Sequence, residues 1–195
     1  MARAKTSRRR KSSSGLARYL TTERVIIGGA LLITALFFVF IIVDGISRQP
    51  PDINLSTVPD NSVAFASQGR NHIQEGELHP AYNSDPPTSG WHYPRDARLG
   101  VYTTPIADET LVHNLEHGHV WLSYRDADDQ EALDLLRDIQ RRYPQNVIVT
   151  YRPQNSTRIA AVAWGRLLAL DEPDADQLYA FVLRYRNRAP ENLGG

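Results

Sequence analysis

Between Leu111 and Tyr124 the chain reads LVHNLEHGHVWLSY, which sets His113, Glu116, His117 and His119 almost side by side. There are 6 histidines in the chain, and the other three, His72, His79 and His92, lie a short way upstream. Imidazole is the commonest protein metal ligand and the usual acid or base near neutral pH. His113 and His117, four apart, share a face if the segment is helical; His117 and His119, two apart, share one if it is extended. Gly118 argues against one long helix through all three, and VWLSY reads as a strand.

This pattern predicts a divalent metal site with His92, His113 and His117 as ligands and His72 or His79 completing it. His119 is a further candidate. Cysteine is absent and the one methionine is Met1, so thiolate and thioether ligands are missing. The donors available favour zinc or copper(II) over copper(I). HNLEH also matches the H-x-x-E-H pattern of inverted zinc peptidases, in which a glutamate activates water. On that reading Glu116 is catalytic. Otherwise it orients a histidine, as carboxylates behind metal ligands do.

A second stretch, YNSDPPTSGWHY from Tyr82 to Tyr93, could bring Asp85, Thr88, Ser89 and His92 to a site. The same residue types also build turns. Tyr82, Trp91, Tyr93 and Tyr102 argue that residues 63–104 form a long ordered loop region, although Pro and Gly punctuate it.

The elements that must position these groups follow from periodicity. Val120 to Tyr124 reads as a strand. Asp126 to Tyr143 reads as a helix, with Ala132, Leu135, Leu136 and Ile139 on one face and Pro144 as its stop. Val147 to Tyr151 and Ile159 to Leu170 read as strands joined in a hairpin across Pro153 to Thr157, the second bent at Gly165. Asp174 to Arg188 reads as the last helix, with Trp164 in the core. The expectation is an α+β fold: a small antiparallel sheet, two helices on one face and a long ordered loop region, preceded by one transmembrane helix.

That helix is Val25 to Val43, a run without a charge, long enough to span a bilayer at about 1.5 Å per residue. The net charge of +0 hides an asymmetry. Residues 1–24 carry eight basic side chains against Glu23, while residues 50–195 carry an acidic excess. The basic block fits a cytoplasmic tail under the positive-inside rule, and the acidic remainder excludes nucleic acid as a partner by composition. A cleaved signal peptide would have a shorter apolar stretch and a small-residue cleavage site, which DGISRQPP does not offer. The expected organisation is a disordered cytoplasmic tail over 1–24, a transmembrane helix over 25–43, a Pro-containing linker over 44–62 and an extracytoplasmic domain over 63–192. Protein partners are not legible.

YNSDPPTSGWHY, LVHNLEHGHV, AWGRLL and YRNRAPEN, in this order, resemble a bacterial family known as a domain of unknown function (number 3105), over roughly residues 63–192. The resemblance implies a membrane-anchored or secreted domain and carries no established activity. It points to His92, His113, Glu116 and His117 as the site. Trp91 stands where many relatives have proline, and His119 falls outside the family pattern. The resulting functional expectation is a membrane-anchored, metal-binding domain. The alternatives are a metal-dependent or His/Glu acid–base hydrolase, or an envelope binding module using the aromatic loop.

Overall fold

The computed structural model describes residues 22–47 and 49–191, so most of the basic tail lies outside it. The chain divides into two units, residues 1–49 and 50–195. The first holds α1 (Thr22–Ser47), whose apolar side chains from Val25 to Ile46 are exposed. Its segment Arg24–Ile46 is long and apolar enough to cross a membrane. At about 1.5 Å per residue it exceeds the roughly 30 Å of a hydrocarbon core.

In the second unit the described residues form β1 (Val63–Ala64), β2 (Val101–Tyr102), α2 (Asp108–Glu116), β3 (Val120–Tyr124), α3 (Gln130–Arg142), β4 (Val147–Tyr151), β5 (Ile159–Ala163), β6 (Arg166–Leu170) and α4 (Ala175–Tyr185). The strands make one sheet in the order β1-β6-β5-β3-β4-β2. The fold is α+β, as the periodicity indicates, but the sheet is mixed. β3, β4 and β2 run parallel, while β3–β5, β5–β6 and β6–β1 are antiparallel. The cause is α3: a helix crossing over between β3 and β4 returns the chain in the same direction.

The hairpin expected between β4 and β5 does not form, because β3 lies between them. All five β3 residues are buried, as suits a central strand covered on both faces. The hairpin lies instead within 159–170, where Ala163 pairs with Arg166 and the chain turns at Trp164–Gly165. Gly165 has φ 69°, and a Cβ there would stand 3.3 Å from the Phe65 carbonyl oxygen. Trp164 is only half-buried; Trp121 is the fully buried indole.

Strand alternation sorts the core into two faces. Val120, Leu122, Tyr124, Val147, Val149, Ile159 and Ala161 pack with Leu136 and Ile139 of α3 and Leu178 and Phe181 of α4. On the other face Trp121, Ile148, Ala160 and Val162 pack with Leu111 and Leu115 of α2. The two expected helices thus share one face, and α2 occupies the other. Asp129 and Asp174 cap α3 and α4 by accepting from Ala132 N and Gln177 N. α4 ends at Tyr185, short of the expected Arg188, because Asn187 takes φ 58° and donates its N–H to the Gly118 carbonyl at 2.8 Å.

Residues read as a linker are bonded to this unit. Arg184 donates to the carbonyls of Leu55 (3.0 Å) and Val58, and Tyr185 OH meets Asp60. Ile53 packs against the α3/α4 core.

A candidate metal centre

The site is built on the end of α2. Leu111 and Leu115 bury one side of this nine-residue helix, which commits the side carrying His113 and Glu116 to a fixed direction. The helix stops through a left-handed cap: Gly118 has φ 85°, Gly118 N donates to Leu115 O at 3.0 Å and His119 N to Asn114 O at 3.1 Å. This pair of bonds is the Schellman arrangement, which glycine permits at little steric cost. It passes the chain directly into β3. The expected break at Gly118 is therefore real, and the segment before it is helical.

His92 arrives from the other side on the long loop. Its backbone pairs with the strand segment around His72: Ile73 N donates to His92 O at 2.9 Å and His92 N to Asn71 O at 3.0 Å. The loop ahead of it is held by its own polar residues. Ser89 Oγ accepts from Gln68 N, Thr88 O accepts from Gly165 N, and Tyr82 OH donates to Trp91 O at 2.6 Å. Gly90, at φ 119°, presses so close to Tyr82 that a Cβ would lie 3.2 Å from its ring. Asp85 accepts from Arg152 at 2.6 Å. Asp85, Thr88 and Ser89 thus position His92 and lie apart from the ligand group. Tyr82, Trp91, Tyr93 and Tyr102 are each half-buried.

His72, His92, His113 and Glu116 each offer one donor atom, and these lie within 4.8 Å of one another. His92 is fully buried, and Glu116 is 2% exposed. Two backbone carbonyls determine the tautomers. His92 Nδ1 meets Gly90 O at 2.7 Å and His113 Nδ1 meets Tyr93 O at 2.7 Å. A carbonyl only accepts, so both Nδ1 atoms carry hydrogen and both Nε2 atoms of the neutral rings present lone pairs. His92 Nε2 then faces Glu116 Oε2 at 2.9 Å. Two acceptors at that distance need a hydrogen or a cation between them. Burial pushes His92 below the ordinary histidine range, outweighing the Gly90 bond and the Glu116 charge that pull it up. Burial thus works against an imidazolium at this position, and a metal cation would satisfy both atoms.

The remaining histidines are placed as follows. His117 caps α2, with Nε2 2.8 Å from His113 Nε2; its Nδ1 is buried without a hydrogen-bond partner. His119 lies beyond it, ring centroids 6.4 Å apart, and burial lowers its pKa. His79 bonds Pro80 O at 2.8 Å and Glu109 at 3.3 Å, away from the donor group. Glu116 stands among the candidate ligands themselves.

Sequence reasoning missed several supports. Arg70 places Nε 3.7 Å from Glu116 Oε1 and Nη1 3.2 Å from Glu191 Oε1. Glu191 N donates to the Glu116 carbonyl at 3.1 Å, which ties Glu191 to the site helix. Buried Asn114 clamps Ala97 through both its amide atoms, at 3.0 and 2.8 Å. Arg152, 5% exposed, forks onto Asp108 at the start of α2 (2.9 and 2.7 Å) and reaches Asn155 at 3.0 Å. These contacts join distant parts of the sequence, and no local pattern announces them.

Comparison with known protein families matches residues 72–194 to the family described as Protein of unknown function (DUF3105). No curated protein and no solved structure matches the chain.

Proposed function

The chain belongs to this family of unknown function, and we propose that it is a single-pass, membrane-anchored protein whose extracytoplasmic domain binds one divalent transition metal, zinc or copper(II), through His72, His92, His113 and Glu116. The observation that carries the reading is the approach of His92 Nε2 to Glu116 Oε2 at 2.9 Å with the Nδ1 hydrogen already given to Gly90. Carbonyl-oriented imidazoles are the arrangement metal-ligating histidines adopt. Donors on one tetrahedral zinc stand about 3.3 Å apart, given bonds of roughly 2.0–2.1 Å. Closing a group already within 4.8 Å to that spacing takes only small side-chain shifts. His117 is near enough to replace a member of the set.

Full-length, untagged protein purified in detergent should carry about one zinc or copper per chain by elemental analysis, the stoichiometry of a single such site. His92→Ala and His113→Ala should lose it. Well-folded wild-type protein without metal above background, and without uptake on titration, would remove the reading. The anchor rests on the length of α1 and the basic tail before it. It predicts that the protein stays in membranes washed with high salt and alkaline carbonate, and that protease added to intact cells digests residues 50–195 but not the tail. Release by the wash would indicate a cleaved leader.

A further inference from the structure

Three of the four donors are fixed and the fourth is not. His113 and Glu116 sit on one helix, His92 is fully buried, and both of these imidazoles are pinned by a backbone carbonyl. His72 differs in every respect. Its side chain is 51% exposed, and neither ring nitrogen has a hydrogen bond among the described residues. Only its stacking on His113 (centroids 5.1 Å apart, planes 7° apart) and its edge against His92 hold the ring. Its Nε2 is 3.8 Å from Glu116 Oε2, against 2.9 Å for His92 Nε2 to the same oxygen. The backbone at residue 72 is anchored by the bridge to His92, so the ring can swing out without the strand moving.

Arg70 lies two residues earlier on the same segment, half-exposed, with its guanidinium between the Glu116 and Glu191 carboxylates. Once Glu116 is committed to a bound cation, an incoming carboxylate can take the place of the half-exposed Glu191 on Arg70. Resting on the metal-binding reading, we propose that His72 is the exchange ligand of the site. It leaves so that a carboxylate-bearing acceptor, steered by Arg70, takes its coordination position and carries the metal away. The site is then a transfer station rather than a permanent structural centre. The transfer is a series of ligand substitutions: the metal–His72 nitrogen bond breaks as the first metal–oxygen bond to the acceptor forms, the bonds to His92, His113 and Glu116 are then replaced in turn by further acceptor donors or water, and no electrons move.

The test uses full-length protein in detergent loaded with cobalt(II), whose visible absorption reports the ligand sphere. Release is followed by stopped flow into nitrilotriacetate, a hexa-aspartate peptide, or neutral terpyridine. His72→Ala should still bind one cobalt and release it to all three acceptors about tenfold faster or more, because an unanchored ligand contributes retention rather than the fold of the site. Arg70→Gln should slow release to the carboxylate acceptors about tenfold and leave terpyridine unchanged, the signature of electrostatic steering. Fast release to hexa-aspartate assigns the acceptor to an acidic protein segment; fast release to nitrilotriacetate alone assigns it to a small polycarboxylate. Loss of cobalt binding in His72→Ala as complete as in His92→Ala would overturn the exchange role. So would an unchanged release rate in His72→Ala, or equal slowing toward every acceptor in Arg70→Gln. Wild-type protein that holds no cobalt would overturn this proposal together with the reading beneath it.

Discussion

His92 and His113 each give their Nδ1 hydrogen to a backbone carbonyl at 2.7 Å, and that one habit turns two ordinary rings into directed donors. Glu116 supplies the charge they face. Glu116→Gln can donate its amide to His92 Nε2 and so preserve the fold while removing a charged ligand. Its melting temperature should stay close to wild type, while zinc affinity falls at least about tenfold; zinc titration beside a thermal melt reads both. Asp129 illustrates a purely structural carboxylate. Its hydrogen bonds from Arg158, with help from Ala132 N and against the opposing effect of burial, hold it down at about 2, below its ordinary 3.8. A depressed carboxyl stabilises the fold above its unfolded value and loses that contribution as pH falls toward the folded one. Wild-type protein should therefore lose thermal stability between pH 3.8 and about 2, and Asp129→Asn should show less of that loss over the same range.

At the scale of elements, the α2–Gly118–β3 junction does the positioning. The helix must end at Glu116 for His117 to sit at its cap and for β3 to begin soon after. A side chain at Gly118 would be forced into the left-handed region at φ 85°, which disfavours L-residues by about 1–2 kcal/mol. Gly118→Ala should lower the melting temperature by several degrees, since about 1 kcal/mol shifts a domain of this size by roughly 2–4 °C. It should also weaken metal binding, because His117 and the last turn of α2 shift together. An unchanged melt and an unchanged titration would show that the cap tolerates alanine and has no part in holding the site.

At the scale of the whole domain, Arg152 joins pieces of the sequence that are far apart. It leaves β4, lies 5.8 Å from the Trp121 ring, and bonds Asp85 of the loop, Asp108 of α2 and Asn155 of the β4–β5 connection. Arg152→Ala leaves Asp108 and the buried Asn155 without their cation, a change expected to remove about 3–5 kcal/mol. Arg137, in an exposed pair with Asp134 at 2.7 Å, is the control, and its alanine variant should change stability by under about 1 kcal/mol. Similar melting temperatures for the two variants would mean that the buried fork is not what holds loop, helix and sheet together.

What the sequence determined alone is what depends on neighbours along the chain. The apolar run became α1, the three-and-four spacing became α3 and α4, VWLSY became the central strand, and Gly118 ended a helix. The choice of nitrogen and oxygen donors also followed from composition, because a chain without cysteine has no thiolate to offer. Tertiary structure decided what depends on distance across the fold. Strand order was one such decision: β3 lies between β4 and β5 because α3 crosses over and returns the chain in parallel, and alternation of side chains does not specify a strand's neighbour. The membership of the site was another. Histidines spread from His72 to His119 looked equivalent as residue types. The bridge between residues 72 and 92, the burial of α2 and two backbone carbonyls gathered His72, His92, His113 and Glu116. They left His79 with Glu109 and His119 behind His117. A side chain's reach is a few ångströms, so only the folded backbone selects which of many eligible donors meet at one point.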